Sequence, residues 1–215
     1  FGVSTRLIGA MIMTHGDDKG LVLPPAVAPT QVVFVPVGPW QKNPAILEKI
    51  HELQAQLKAA GIRCRVDDSN NSPGFKFNEW ELRGVPVRIE CGPRDLENAQ
   101  VMMKARDLDD KVAVPFDNFL TSVQAELASM QGRLLEKARQ MNQANYYTDI
   151  NSLEELKAHI ESKRAAGQVP GWVLAGWDGT EESEAKIKEE TGFTTRNIPF
   201  AGQVPEKATC IVTGQ

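Results

Sequence analysis

The chain has 215 residues, a hydrophobic content of 41% and a formal net charge of −4. This length allows one or two domains with ordinary cores, and no apolar run reaches the roughly 18 residues that a membrane-spanning helix needs. The negative charge excludes a protein that holds nucleic acid through clustered basic residues. Three widely spaced cysteines, Cys64, Cys91 and Cys210, predict no disulfide framework and suit a reducing cytoplasm.

The first half of the chain has the pattern of an α/β layer. The opening apolar segment, residues 1–13, predicts a buried element in which the guanidinium of Arg6 needs a partner. Strands are predicted at residues 31–37, 62–66, 85–91, 100–107 and 111–116, and helices at residues 43–60 and 74–84. Because strands alternate with helices, the pattern indicates a mostly parallel or mixed sheet.

The second half begins with a long amphipathic helix, predicted at residues 117–146 with Asp117 as its N-cap. A second helix follows at residues 152–166, where Ser152 and Glu155 have the spacing of a capping box. Beyond Pro170 the pattern predicts a strand at 172–177, a helix at 180–191 and strands at 197–200 and 209–212. These segments predict a compact α+β unit attached through the long helix.

The opening segment also carries a motif of unusual composition. It reads G-x-S-x-R-x-I-G at Gly2–Gly9, followed by HGDD-x-GL at His15–Leu21 and then by LPP and AP. This order resembles motif 3 of class II aminoacyl-tRNA synthetases, in the form used by prolyl-tRNA synthetases. The resemblance implies that Arg6 and Ser4 bind ATP. It also implies that His15 shapes the active-site floor through hydrogen bonds rather than through acid–base catalysis.

A second motif spans Lys76–Asp95 and reads K-F-x-x-W-E-L-x-G-V-P-x-R-I-E-x-G-P-x-D. It resembles the anticodon-binding domain of prolyl-tRNA synthetases of the eukaryotic and archaeal type. The resemblance implies binding of the tRNA(Pro) anticodon stem-loop. The candidate anticodon-binding residues are Lys76, Phe77, Trp80, Glu81, Arg83, Arg88, Glu90 and Arg94.

These residue types suit the bases that they are expected to meet. Proline anticodons share two adjacent guanines, whose edges donate to carboxylates and accept from Arg or Lys. Aromatic rings can stack on unpaired bases. An alternative stays open, in which the aromatic side chains pack on the sheet and the charged side chains form a solvated face.

The last segment departs from the family in its metal ligands. The family's C-terminal domain often holds a structural zinc with four cysteines, and the corresponding positions here are Asp178, Ser183, Cys210 and Thr213. One thiolate, one carboxylate and two hydroxyls make a poor zinc site, so we expect no metal. The domain is then expected to be stabilised by buried apolar side chains, namely Trp172, Leu174, Trp177, Ile187, Ile198 and Phe200.

The resemblance covers the whole chain, which is similar to the C-terminal part of a prolyl-tRNA synthetase. It implies the end of a catalytic domain at residues 1–30, an anticodon-binding domain at 31–145 and a zinc-free C-terminal domain at 146–215. The fold class is α/β, with a mixed five-stranded sheet flanked by helices, a long helix and a small α+β domain.

The resemblance further implies an enzyme that, at full length, joins proline to tRNA(Pro) with ATP and Mg²⁺. That enzyme is expected to be a cytoplasmic homodimer that associates through its catalytic domain and contacts no membrane. The 215 residues alone are expected to hold no cofactor and to be inactive. Two alternatives are a non-catalytic RNA-binding module and a threonyl, histidyl or glycyl ligase that shares the anticodon-binding domain.

Overall fold

The computed structural model describes residues 2–200 and 208–215. Its internal contacts divide the chain into two compact units, residues 1–138 and residues 139–215. Each unit has a hydrophobic core of its own. The finer division into residues 1–30, 31–145 and 146–215 stays a prediction.

The first unit is a five-stranded sheet flanked by helices. Its helices are α1 (Arg6–His15), α2 (Pro44–Ala59), α3 (Pro73–Leu82), α4 (Pro93–Glu97) and most of α5 (Phe119–Ala144). Its strands are β1 (Val32–Pro36), β2 (Cys64–Val66), β3 (Val87–Cys91), β4 (Gln100–Ala105) and β5 (Val112–Pro115).

The strands lie in the order β2-β1-β3-β4-β5. Strand β1 pairs in parallel with β2 and β3, whereas β4 pairs in antiparallel fashion with β3 and β5. The predicted mixed five-stranded sheet is therefore confirmed.

One face of the sheet carries the main core. Side chains alternate along a strand, so Val32 and Phe34 of β1 share this face with Val87 and Ile89 of β3. Apolar residues at helical spacing in α2 and α5 complete the cluster: Ile46, Ile50, Leu53, Leu57, Phe119, Val123 and Leu127. The amphipathic patterns predicted for both helices are confirmed by this burial.

The opposite face of the sheet is apolar only in part. Val33, Val35 and Val85 are buried there against the half-buried Phe77 and Trp80 of α3. Where β3 pairs with β4, this face carries the charged side chains Arg88 and Glu90 of β3 and Lys104 of β4. This change from apolar to charged side chains creates the surface described below.

Two predictions for the first unit are wrong. The opening segment is the helix α1 rather than a buried element, because Leu7, Ile8 and Met13 are all more than half exposed. Arg6 is exposed as well and needs no buried partner, while Phe1 lies outside the described residues. Asp117 is not the N-cap of α5, since it lies in a 3₁₀ turn at residues 116–118.

The second unit is a small α+β assembly. It contains β6 (Tyr146–Tyr147), α6 (Leu153–Ala165), β7 (Trp172–Val173) and α7 (Glu181–Thr191), and β6 pairs in parallel with β7. Ser152 caps α6 as predicted, because its hydroxyl accepts a hydrogen bond from the backbone amide of Glu155. The core is formed by Ile150, Leu153, Leu156, Ile160, Ile187 and Ile211.

Part of the predicted core of this unit is wrong. Trp172, Ile198 and Phe200 are 54%, 79% and 83% exposed, whereas Ile187 is buried as predicted. Residues 197–200 form no strand, and the segment at 209–212 contributes only a single β-bridge, from Cys210. Among the residues that the structure describes, no helix is long and apolar enough to cross a membrane.

Candidate nucleic-acid interface

A cleft in the first unit lies between α3 and the charged face of the sheet. Trp80 and Glu81 of α3 line it together with Arg88 of β3 and with Lys104 and Arg106. Arg88 lies opposite Lys104 in the antiparallel pairing of β3 with β4. The period of two along each strand therefore presents both side chains on the face away from the main core.

A charged network surrounds Phe77 at this face. Arg88 donates from Nε to Glu90 Oε1 at 2.9 Å, and Lys111 donates from Nζ to Glu90 Oε2 at 2.6 Å. The Arg88 guanidinium lies 4.0 Å from the centroid of the Phe77 ring, a cation–π geometry. Both carboxylate oxygens of Glu90 bind a cation, so this cluster of one anion and two cations keeps one excess positive charge.

A second polar cluster anchors α3 at the loop after β2. Trp80 Nε1 donates to Asp67 Oδ2 at 2.7 Å, and Lys76 Nζ donates to the backbone carbonyl oxygen of Asp67 at 2.9 Å. Burial raises the pKa of Asp67, but hydrogen bonds from Ser69 and Trp80 outweigh it and hold that pKa below its usual value. The loop and the helix are therefore joined by a charged carboxylate.

This cluster removes Lys76 from the solvent-facing candidates. The residue is 1% exposed, and its ammonium lies 5.4 Å from the Trp40 ring centroid. Contact with a base would require breaking these interactions. The prediction that Lys76 binds the anticodon is not supported by its position, and its structural role is to hold α3.

The other candidates lie at different depths. The Arg83 guanidinium lies 5.0 Å from the Trp80 ring centroid and 2.5 Å from the Glu79 carboxylate. Glu81 is half-buried, and its carboxylate has Lys19 at 3.8 Å as its ion-pair partner. Arg94 is exposed on α4. The structure thus groups Phe77, Arg88 and Glu90 in one cluster and Trp80 and Arg83 in another, with Arg94 apart.

Comparison with known proteins identifies matching families. Residues 31–126 match the anticodon binding domain family, and residues 153–215 match the family described as prolyl-tRNA synthetase, C-terminal. A proline–tRNA ligase of Symbiobacterium thermophilum is 49% identical over 215 residues, covering 100% of this chain and 44% of that protein. Over its whole length the chain is therefore similar to the C-terminal part of proline–tRNA ligases.

Other prolyl-tRNA synthetase relatives agree. The proline–tRNA ligase of Lachnospira eligens is 44% identical over 215 residues, which are 100% of this chain and 43% of that protein. That of Amoebophilus asiaticus is 43% identical over 217 residues, again 100% of this chain and 43% of the relative. The chain spans less than half the length of these relatives, of which it corresponds to the C-terminal part.

Three residues of this surface were not predicted. Lys111 was missed because the motif ends before it, and only the strand register brings it to Glu90. Asp67 directly follows a parallel strand, a position where functional side chains often gather in α/β sheets, so this signal was available. Arg106 gave no signal in the sequence.

At the start of the chain, the predicted ATP-site residues lie on or beside α1. Ser4 and Arg6 are exposed, and the Ser4 hydroxyl accepts a hydrogen bond from the Arg6 backbone amide at 3.3 Å. His15 is half-buried at the end of α1, beside a polar pocket of about 300 Å³ that Lys137 also lines. Burial and the Lys137 charge lower the pKa of His15, so its imidazole is neutral at pH 7.

The four predicted zinc positions do come together in the C-terminal unit. Ser183 donates from its hydroxyl to Asp178 Oδ1 at 2.6 Å, and Ser183 is 3% exposed. The Cys210 thiol takes hydrogen bonds from Thr213 and from the backbone amide of Asp178. The four side chains at the predicted zinc positions therefore hydrogen-bond to one another.

This donor set does not fit zinc. The residues that the structure describes contain no group of three or more His, Cys, Asp or Glu side chains arranged to hold a metal ion. The Ser183 hydroxyl is already engaged, since it also accepts a hydrogen bond from Trp177 Nε1 at 2.8 Å. Neutral hydroxyls are weak ligands compared with thiolate or imidazole. That the protein binds no metal stays a prediction.

Proposed function

We propose that this chain binds the anticodon stem-loop of tRNA(Pro) within a ligase that joins proline to that tRNA. The observation that supports this most directly is the half-buried carboxylate of Glu81, which borders a cleft with Arg88 and Lys104. The cleft lies within residues 31–126, the part of the chain that matches an anticodon-binding domain.

The rim of the cleft, whose volume of about 10 Å³ is too small to enclose a base, offers the partners that guanine requires. A guanine presents N–H donors on its Watson–Crick edge, which suit a carboxylate such as Glu81, and acceptors elsewhere, which suit Arg or Lys. The proposed contact set is Phe77, Trp80, Glu81, Arg83, Arg88, Glu90 and Arg94. Because the chain carries a net charge of −4, a few well-placed contacts rather than bulk attraction to phosphates provide the affinity.

The remaining roles concern the full-length enzyme. ATP and Mg²⁺ would drive activation of proline there, and Arg6 with Ser4 would contact the ATP. An exposed guanidinium is a suitable partner for phosphate oxygens. His15, as a neutral imidazole, would shape the floor of the active site by hydrogen bonding. We further propose that the enzyme works in the cytoplasm as a homodimer.

The test changes one carboxylate on α3 and compares it with an exposed carboxylate on α2. In Glu81→Gln, preference for a proline anticodon stem-loop over one with a changed guanine falls by about 1–3 kcal/mol, the value of a lost bidentate base contact. The control Glu48→Gln keeps the preference, because Glu48 is exposed on α2, which packs on the main-core face of the sheet. Fluorescence anisotropy titrations with both stem-loops measure this preference as a ratio of dissociation constants.

Equal affinity of the unaltered chain for both stem-loops would contradict the proposed function. A uniform loss of affinity in Glu81→Gln, for both loops alike, would indicate that Glu81 acts on the backbone of the RNA or on the fold instead. Weak absolute affinity is expected, since contacts to the rest of the tRNA are absent from a stem-loop.

A further inference from the structure

One guanidinium joins three separate segments of the first unit. Arg106 follows β4, and its side chain is 3% exposed. It donates from Nη1 and Nη2 to the two carboxylate oxygens of Asp17 at 2.8 and 2.6 Å. It also donates from Nε to the backbone carbonyl oxygen of Glu81 at 3.1 Å. Arg106 thereby links the sheet, the turn after α1 and the last turn of α3.

Backbone contacts reinforce the same junction. The last carbonyl groups of a helix lack intrahelical partners, and here the amide of Leu21 donates to Leu82 at 3.0 Å and that of Leu23 donates to Gly84 at 3.2 Å. A Cβ atom on Gly84, whose φ is +71°, would lie 2.6 Å from the backbone of Leu21. The end of α3 therefore touches the segment after Asp17 backbone to backbone.

Helix α3 depends on such contacts because it buries little apolar surface. Lys76 is its one buried residue, and Phe77 and Trp80 are only half-buried. At its beginning the helix is anchored by Asp67, and at its end it is anchored by Arg106. The position of the Glu81 carboxylate in the cleft follows from where these anchors hold the helix.

We propose that Arg106 is a positioning residue for anticodon recognition, which holds Glu81 at the distance and angle that guanine discrimination requires. The inference rests on the proposed function of the cleft. Asp17 completes the arrangement, because it fixes the guanidinium from the side opposite to α3. Arg106 contacts no base in this account and acts only through Glu81.

The hydrogen bonds from residue 106 to Asp17 and Glu81 require the geometry of an arginine side chain. A planar guanidinium can bind a carboxylate with two parallel hydrogen bonds and still donate from Nε, whereas an ammonium offers a point charge without that fixed geometry. Arg106→Lys therefore keeps the charge and loses the link to Glu81. Asp17→Asn loses the charge of the carboxylate and leaves α3 itself unaltered.

The chain provides a matched control. Arg133 makes the same kind of bidentate pair, from Nε and Nη2 to Asp107 at 2.7 and 2.9 Å, and a further bond to Glu126 at 2.6 Å. None of these contacts of Arg133 involves α3. Arg133→Lys thus removes a comparable ion pair from the same unit and leaves the end of α3 untouched.

The experiment measures the ratio of dissociation constants for a guanine-changed and a proline anticodon stem-loop, together with the melting temperature. Arg106→Lys is expected to lower this ratio about tenfold, equivalent to one base contact, whereas Arg133→Lys leaves it unchanged. Asp17→Asn lowers the ratio in the same direction. The double variant lowers it no further than Arg106→Lys alone, because both changes act on one interaction.

A merely structural role would reduce the folded fraction for both stem-loops alike and would leave the ratio unchanged. An unchanged ratio in Arg106→Lys and Asp17→Asn would overturn the inference while leaving the proposed function in place. If Arg106→Lys does not fold, Asp17→Asn alone decides. A ratio near one for the unaltered chain would overturn the proposed function itself, so the two failures are distinguishable.

Discussion

The ion pair with Arg106 strongly perturbs the Asp17 carboxylate. Its hydrogen bonds with Arg106 outweigh the effect of burial and lower its pKa to about 2. A carboxylate with a lowered pKa in the folded state stabilises that state at every pH where it is charged. The pair therefore links the turn after α1 to the sheet across the whole neutral range.

This pKa predicts a specific dependence of stability on pH. The stabilisation that Asp17 contributes is fully present above a pH of about 4, the pKa of an aspartate in the unfolded chain. It is lost as the pH falls towards about 2, the pKa of Asp17 in the folded chain. The difference in urea midpoint between the unaltered chain and Asp17→Asn should therefore shrink between these values. The neighbouring Asp18→Asn serves as control. A difference that stays constant on acidification would contradict the assignment.

At the scale of elements, α7 shows how the C-terminal unit is stabilised. Thr180 caps the helix by accepting a hydrogen bond from the Ser183 amide, and Asp178 accepts hydrogen bonds from the hydroxyl groups of both residues. The first cause of the lowered pKa of Asp178 is its bond with Ser183. Hydrogen bonds thus connect positions at which the sequence resemblance implies zinc ligands.

The second unit should accordingly depend on hydroxyl groups and not on metal. Ser183→Ala leaves Trp177 Nε1 without its acceptor and removes one of the hydrogen bonds to Asp178, which keeps its bonds with Thr180. It should cost about 1–3 kcal/mol of unfolding free energy. The exposed Ser162→Ala should be neutral. A chelator should leave the melting temperature unchanged, whereas a domain that requires structural zinc unfolds when the metal is removed.

Metal analysis of protein purified without a histidine tag completes this test. One zinc ion per chain, lost together with the fold on chelation, would show that the ligands have been misplaced. Unaltered stability of Ser183→Ala would show that the hydrogen-bonded cluster contributes nothing.

For the molecule as a whole, exposed positions near its beginning bear on catalysis. Ser4 and Arg6 are the residues proposed to contact ATP, and the side chains of both are exposed to solvent in this structure. Activation of an amino acid depends on electrostatic stabilisation by several preorganised groups around the reacting phosphate. Two side chains on one exposed segment do not form such an enclosure.

The 215 residues alone should therefore show no proline-dependent exchange of pyrophosphate into ATP. In a full-length relative carrying the same motif, Arg6→Ala should reduce activation much more than tRNA affinity, as expected of a contact to developing charge. Measurable exchange by the purified 215-residue chain would contradict this account.

Much of the architecture of the chain was determined by local pattern. Period-two and period-3.6 spacing of apolar residues predicted the five strands of the first unit and its helices α2, α3 and α5, because burial of one face imposes these periods. The helices α1 and α4 were not predicted. The capping of α6 by Ser152 could also be predicted from the sequence, since it involves only residues close in sequence. The family resemblance identified α3 as the element carrying candidate base contacts.

Only the tertiary structure decided which charged side chains face solvent. Lys76 was predicted at the interface and is buried against Asp67, while Lys111 reaches Glu90 through strand register alone. Likewise, 89 residues separate Asp17 from Arg106. Apolar periodicity reports burial along one element, but ion pairs between distant segments depend on where the sheet brings those segments together, so no local pattern encodes them.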